Sequence, residues 1–74
     1  MGGITQNRVE AVRWFRKAAA QGHAHAQYNL GVRYAVGKGG VTKNHAEAVK
    51  WLRKSAVQGQ EEAKEILNNM GETW

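Results

Sequence analysis

Glu10-Ala11-Val12-Arg13-Trp14-Phe15-Arg16-Lys17-Ala18-Ala19-Ala20-Gln21-Gly22 returns as Glu47-Ala48-Val49-Lys50-Trp51-Leu52-Arg53-Lys54-Ser55-Ala56-Val57-Gln58-Gly59, 37 positions later. Working outward, Gly2/Gly39, Gly3/Gly40, Thr5/Thr42 and Asn7/Asn44 precede the stretch in both copies. Ala26/Ala63 and Leu30/Leu67 follow it. Fifteen positions agree without a gap, where composition alone gives roughly two or three. A period between about 20 and 50 residues marks a solenoid, whose units bury their apolar faces on one another. The 74 residues then form one domain of two units, 1–37 and 38–74. Solenoids present extended surfaces to partners, which turns the functional reading away from catalysis.

Each unit reads as helix, Gly turn, helix, Gly loop. Asn7 and Asn44 are placed as N-caps, with Glu10 and Glu47 three residues on, where an acidic side chain meets orphan N–H groups and the positive end of the dipole. Gly22 and Gly59 stop the first helix of each unit, because Gly tolerates the left-handed conformation that ends a helix. Val36-Gly37-Lys38-Gly39-Gly40 cannot carry a helix further. These signals predict four antiparallel helices near 8–20, 23–36, 45–57 and 60–70. Ala11, Trp14, Phe15, Ala18 and Ala19 recur at helical spacing, as do Ala48, Trp51, Leu52, Ser55 and Ala56. That spacing predicts a core arc in which Trp14 and Trp51 are both largely buried. Ala26, Leu30, Gly31 and Tyr34 form the facing stripe of the second helix, with small residues allowing close approach.

Composition narrows the function classes. There is no Cys, so disulfides, thiol nucleophiles and Cys-bound zinc are excluded. There is no Asp, and Ser55 is the single Ser, so no Ser/His/Asp set exists. No phosphate-binding Gly-x-x-x-x-Gly-Lys-Ser/Thr loop is present. His23 and His25 stand two apart, which points their rings to different sides of a helix, unlike the four-residue spacing of a helical zinc site. The reading is a non-enzyme with no metal and no cofactor. No apolar run reaches the ~18 residues of a membrane span and the start lacks a signal-peptide pattern, so the chain reads as soluble, with its compartment unassigned.

The net charge of +5 is uneven: residues 1–58 carry +8 and residues 59–74 carry −3. A basic body suits an acidic partner. Arg13, Arg16, Lys17, Lys50, Arg53 and Lys54 make a basic ridge. Nucleic-acid binding asks for stacking aromatics or a known module beside such a ridge. Neither is evident, and a solvated helix face accounts for the charge better.

The string Ala11 to Gly22, followed by Ala24-His25-Ala26-Gln27-Tyr28-Asn29-Leu30-Gly31 and Tyr34, resembles a Sel1-like repeat. Gly39-Gly40-Val41 leading into Ala48, Trp51-Leu52, Lys54, Ala56 and Gly59 is similar in the same way. Such repeats are relatives of the tetratricopeptide repeat. The resemblance implies an all-α, αα-hairpin solenoid acting as an adaptor, with a concave groove lined by the first helix of each hairpin. Carried onto this sequence, the groove implies Val12, Arg13, Arg16, Val49, Lys50 and Arg53 as partner-binding residues. An apolar strip edged by Arg suits an acidic peptide or protein segment. The other reading of Val12 and Val49 is that they edge the core between the helices. A rival function is a self-assembling unit, a dimer or an oligomer that exchanges hairpins through Gly37–Gly40. In repeat two Glu61, Asn68 and Gly71 replace Ala24, Gly31 and Tyr34, so the last helix reads as a polar terminal cap. Ile4, Val9 and Phe15 at one end, and Ile66, Leu67, Met70 and Trp74 at the other, are candidate apolar edges.

Overall fold

A computed structural model describes residues 3–38 and 40–74, with side chains from Glu10 onward. Among the described residues the chain is helical, in the order α1 (Gly3–Ala20), α2 (Ala24–Val36), α3 (His45–Ala56) and α4 (Glu61–Asn69). α1 packs on α2, α2 on α3 and α3 on α4. The result is an elongated stack of 41 × 23 × 16 Å. Three of the four helices fall within a residue or so of their expected bounds.

α1 differs. It begins at Gly3, so Asn7 lies inside the helix rather than capping it. The contrast with α3 supplies the reason. There Asn44 does cap, its Oδ1 accepting from the Glu47 N–H at 3.1 Å. The Asn44 N–H is meanwhile held by the Tyr34 carbonyl at 2.9 Å, which keeps the approach to α3 extended. Ahead of Asn7 the backbone is already helical from Gly3, so no extended approach of that kind leads into it. The expectations for Ile4 and Val9 concern side chains outside the described residues.

The Gly turns behave alike in both units. Gly22 and Gly59 take φ of 90° and 94°. Around the first, Gly22 N–H bonds Ala19 O and His23 N–H bonds Ala18 O; around the second, Gly59 N–H bonds Ala56 O and Gln60 N–H bonds Ser55 O. Both pairs satisfy carbonyls that a helix end leaves orphaned.

The core is built on α2, which is covered on both sides. Ala26, Gln27, Leu30, Gly31 and Tyr34 are buried there, four of them the stripe read from the sequence. Val12, Ala19, Val41 and Ala48 join Ala26, Leu30 and Tyr34 in one cluster, and Val49, Leu52, Ala56, Ala63 and Leu67 form a second. Met70 packs against both. Gly31 is the close-approach point: a Cβ there would lie 2.7 Å from Leu52 Cγ and 3.2 Å from the Ala48 carbonyl. Only a residue without a side chain lets α2 and α3 come so near.

Polar groups tie the same interface. Ser55 Oγ donates to the Ala24 carbonyl at 2.7 Å, and Gln58 Nε2 donates to Gln27 Oε1 at 2.8 Å. Gln27 is buried, and its own amide donates to the Ala19 carbonyl at 3.1 Å. Its side chain thus joins α2 to the end of α1 and to the turn that follows α3.

The expected burial of both tryptophans is corrected by the structure. Trp14 is 67% exposed, and Trp51 is half-buried. The buried arc of α1 centres on Val12 and Ala19, which lie roughly 150° around the helix from Trp14 at about 100° per residue. Among the described residues α1 packs chiefly on α2, and the side bearing Trp14 faces solvent.

Candidate functional site

The six residues expected to bind a partner divide into three pairs. Val12 and Val49 are 6% and 7% exposed. They sit in the two core clusters, one in each.

Arg13 and Lys50 belong with the tryptophans. Lys50 Nζ lies 4.9 Å from the Trp51 ring centroid and 3.5 Å from Glu47 Oε1. Lys54 Nζ covers the same ring at 5.5 Å, and the Trp51 indole N–H donates to Glu47 Oε1 at 3.3 Å. Such cation–π contacts contribute about 0.5–1 kcal/mol at exposed sites. In repeat one the corresponding Glu10, Arg13, Trp14 and Lys17 line an open cleft of about 200 Å³.

Arg16 turns toward the second helix of its own repeat, and Arg53 toward the segment that follows α4. The Arg16 guanidinium donates to the Tyr34 hydroxyl and lies 5.6 Å from its ring centroid. Gly71 stands where a second such tyrosine would be. Arg53 therefore finds a different partner. Its Nε donates to the Thr73 carbonyl at 2.7 Å and its Nη2 to Glu72 Oε1 at 3.2 Å. His45 Nε2 meets the other Glu72 oxygen at 3.2 Å. The chain's own acidic, non-helical C-terminal segment thus lies along the cationic side of α3. Sequence reasoning missed this contact. The available signal was the loss of Tyr at Gly71 while Arg53 was kept.

Trp74 folds back on α4, with Lys64 Nζ 4.3 Å from its ring centroid. Arg33 lies over the Phe15 ring at 4.7 Å, while its Nε has no hydrogen-bond partner. Among the described residues, no group of His, Cys, Asp and Glu is placed to hold a metal ion. None of the described helices is long and apolar enough to cross a membrane.

The model of the Sel1 repeat matches residues 1–23 and 24–60. The chain belongs to the Sel1 repeat family. The second match runs from Ala24 to Gln60 and so contains α2, α3 and the Gly31 approach that joins them. Sel1 repeats are non-catalytic elements that mediate protein–protein interaction. The all-α hairpin stack is the architecture that this family builds. No curated protein and no solved structure matches the chain.

Proposed function

We propose that residues 1–74 act as one interaction domain that receives an extended acidic segment of a partner protein along the first helices. Arg13, Arg16, Lys50 and Arg53 supply the cations, and Val12 and Val49 supply the rigid floor that fixes where those cations stand. The observation that carries this reading is the seat already taken by Glu72 and Thr73. There a guanidinium binds one carboxylate and one backbone carbonyl of a non-helical segment, and a histidine adds a second contact to the carboxylate. A ligand with Glu or Asp beside an extended backbone reproduces these groups. The guanidinium is suited to this because its donors are planar and divergent, so one side chain serves both acceptors.

Titrating a Glu-rich, partly apolar synthetic peptide into the labelled chain tests the proposal. Amide and guanidinium signals of Arg13, Arg16, Lys50 and Arg53 are expected to move together. Glu72→Gln, which removes the internal competitor, is expected to tighten binding several-fold. Arg16→Glu with Arg53→Glu is expected to weaken it without unfolding the chain. Added salt should weaken binding, as it does for exposed charge pairs. Perturbations confined to α2, around Asn29 and Val36, would overturn the assignment.

A further inference from the structure

Nucleic-acid binding asks for a stacking aromatic beside a basic ridge, and the structure places one there. Trp14 is 67% exposed. The chain has six aromatic side chains, and the other five each have a neighbour across the ring. Arg33 lies over Phe15, Arg16 over Tyr34, Lys64 over Trp74, and Lys50 with Lys54 over Trp51. Tyr28 has the His25 ring at 6.0 Å. Among the described residues no cation and no second ring covers Trp14. Its indole stands open in a cleft of about 200 Å³ with Glu10, Arg13 and Lys17, all three exposed.

Glu10 and Lys17 stand four residues before and three after Trp14, about one helical turn to either side of it. Arg13 precedes it directly. Two cations against one carboxylate leave the cleft positive, on a chain whose first 58 residues carry +8. The pattern suits a flat group on the indole and an anion on Arg13 and Lys17. A lipid surface fits poorly, since one ring among three charged side chains makes no apolar face to insert. An acidic peptide meets the cations and leaves the ring bare. A nucleotide strand does both, because every base has a π-face and every linkage a phosphate.

We infer that the Trp14 face of α1 binds single-stranded nucleic acid, with one base stacked on the indole and the flanking phosphates on Arg13 and Lys17. A duplex keeps its bases stacked on one another and offers the ring nothing. Glu10 adds a preference. At the equivalent register Glu47 Oε1 accepts the Trp51 indole N–H at 3.3 Å, so a carboxylate here reaches the rim of the ring. Glu10 accepts in the same way from an exocyclic amino group of the stacked base, which cytosine carries and thymine lacks. The site turns on Trp14 and Lys17, which the acidic-segment seat does not use.

The probes are oligodeoxycytidine and oligothymidine of about eight nucleotides, within the span of a small single-strand site. Titrated into the isotope-labelled full chain at low salt, they are expected to shift the Trp14 indole signal and leave those of Trp51 and Trp74 nearly still. Trp14→Ala should weaken binding about tenfold or more, and Trp14→Phe, which keeps a stacking ring, should recover most of it. Lys17→Gln should flatten the plot of log affinity against log salt by about 0.7, the loss of one phosphate contact on a single strand. The cytidine strand should bind several-fold tighter than the thymidine strand, and Glu10→Ala should erase that difference. Oligoribocytidine of the same length separates RNA from DNA as the favoured strand. Inorganic polyphosphate, which has the charge and no base, is expected to leave the Trp14 indole unmoved. Trp14→Ala should also leave binding of the Glu-rich peptide at Arg16 and Arg53 unchanged. Undiminished strand binding by Trp14→Ala would overturn the inference, as would a duplex bound as tightly as the strand. A Glu-rich peptide that shifts the Trp14 indole as far as the strand does would overturn it too, by making a protein segment the occupant.

Discussion

α1 and α3 carry nearly the same sequence and live in different surroundings. α3 is enclosed by α2 and α4, and five of its residues, Ala48, Val49, Leu52, Ser55 and Ala56, are buried. On α1, Val12 and Ala19 are buried, while Phe15, the counterpart of Leu52, is only part-buried. In a solenoid the sequence of a helix specifies which surfaces it can bury, and its position in the array decides which it does bury. The contrast between the two helices is therefore energetic, and substitution at paired positions measures it.

The largest difference is expected at Leu52 and Phe15. Leu52→Ala removes a fully buried side chain between α2 and α4 and should cost about 2–5 kcal/mol. In a chain this short that is a large part of the total stability. Phe15→Ala should cost less than half as much, although Phe is the larger residue. Equal losses in urea unfolding would break the contrast.

The tryptophans come next. Trp51→Ala should cost about 1.5–2.5 kcal/mol, half the usual aromatic truncation, because the ring is half-buried. Trp14→Ala should stay within about 0.5 kcal/mol, as exposed substitutions do. Matching melting shifts for the two would show that Trp14 is covered in solution.

Gly31 and Asn68 are expected to differ in sign. Gly31→Ala forces Leu52 to move and should cost about 1–3 kcal/mol by overpacking, of which better helix propensity returns at most about 1. Asn68→Ala meets no such wall and should stabilise by a few tenths of a kcal/mol, since Ala is the better helix former. Calorimetry on both variants decides it.

Ser55→Ala should cost about 1 kcal/mol, because the Ala24 carbonyl loses its donor. The reciprocal Ala18→Ser on α1 should be neutral within about 0.5 kcal/mol. The smallest effect is expected at the tail. Glu72→Gln removes an exposed ion pair with Arg53 and should change stability by less than about 1 kcal/mol, with the change vanishing at high salt.

The repeat made most of this legible from sequence. Ala26, Leu30, Gly31 and Tyr34 were readable because helical spacing and a paired Leu67 marked one face of α2. The Gly turns were readable because Gly22 and Gly59 hold the same place in both units. Trp14 was not readable, for a reason internal to repeats: identical residues predict identical burial, yet among the described residues α1 packs chiefly on α2 while α3 packs on both α2 and α4. Asn7 failed for the same cause, since Asn44 caps only where Tyr34 holds the incoming chain. The division of the six candidate binding residues was hidden too. Val12 and Val49 lie on the border of the core arc, and a rotation of one side-chain position moves them inside it. The seat of Glu72 and Thr73 on Arg53 depends on a segment outside any helix, where periodicity carries no information.

Gln27 has a mechanical consequence. Its amide is clasped by the Ala19 carbonyl on one side and by the Gln58 amide on the other. Sliding α1 or α3 along α2 by even one helical turn would strand a buried dipole in an apolar setting, at a cost of about 1–3 kcal/mol. The stack thereby resists slippage between neighbouring hairpins, and the Ser55–Ala24 bond and the close approach at Gly31 hold the same register.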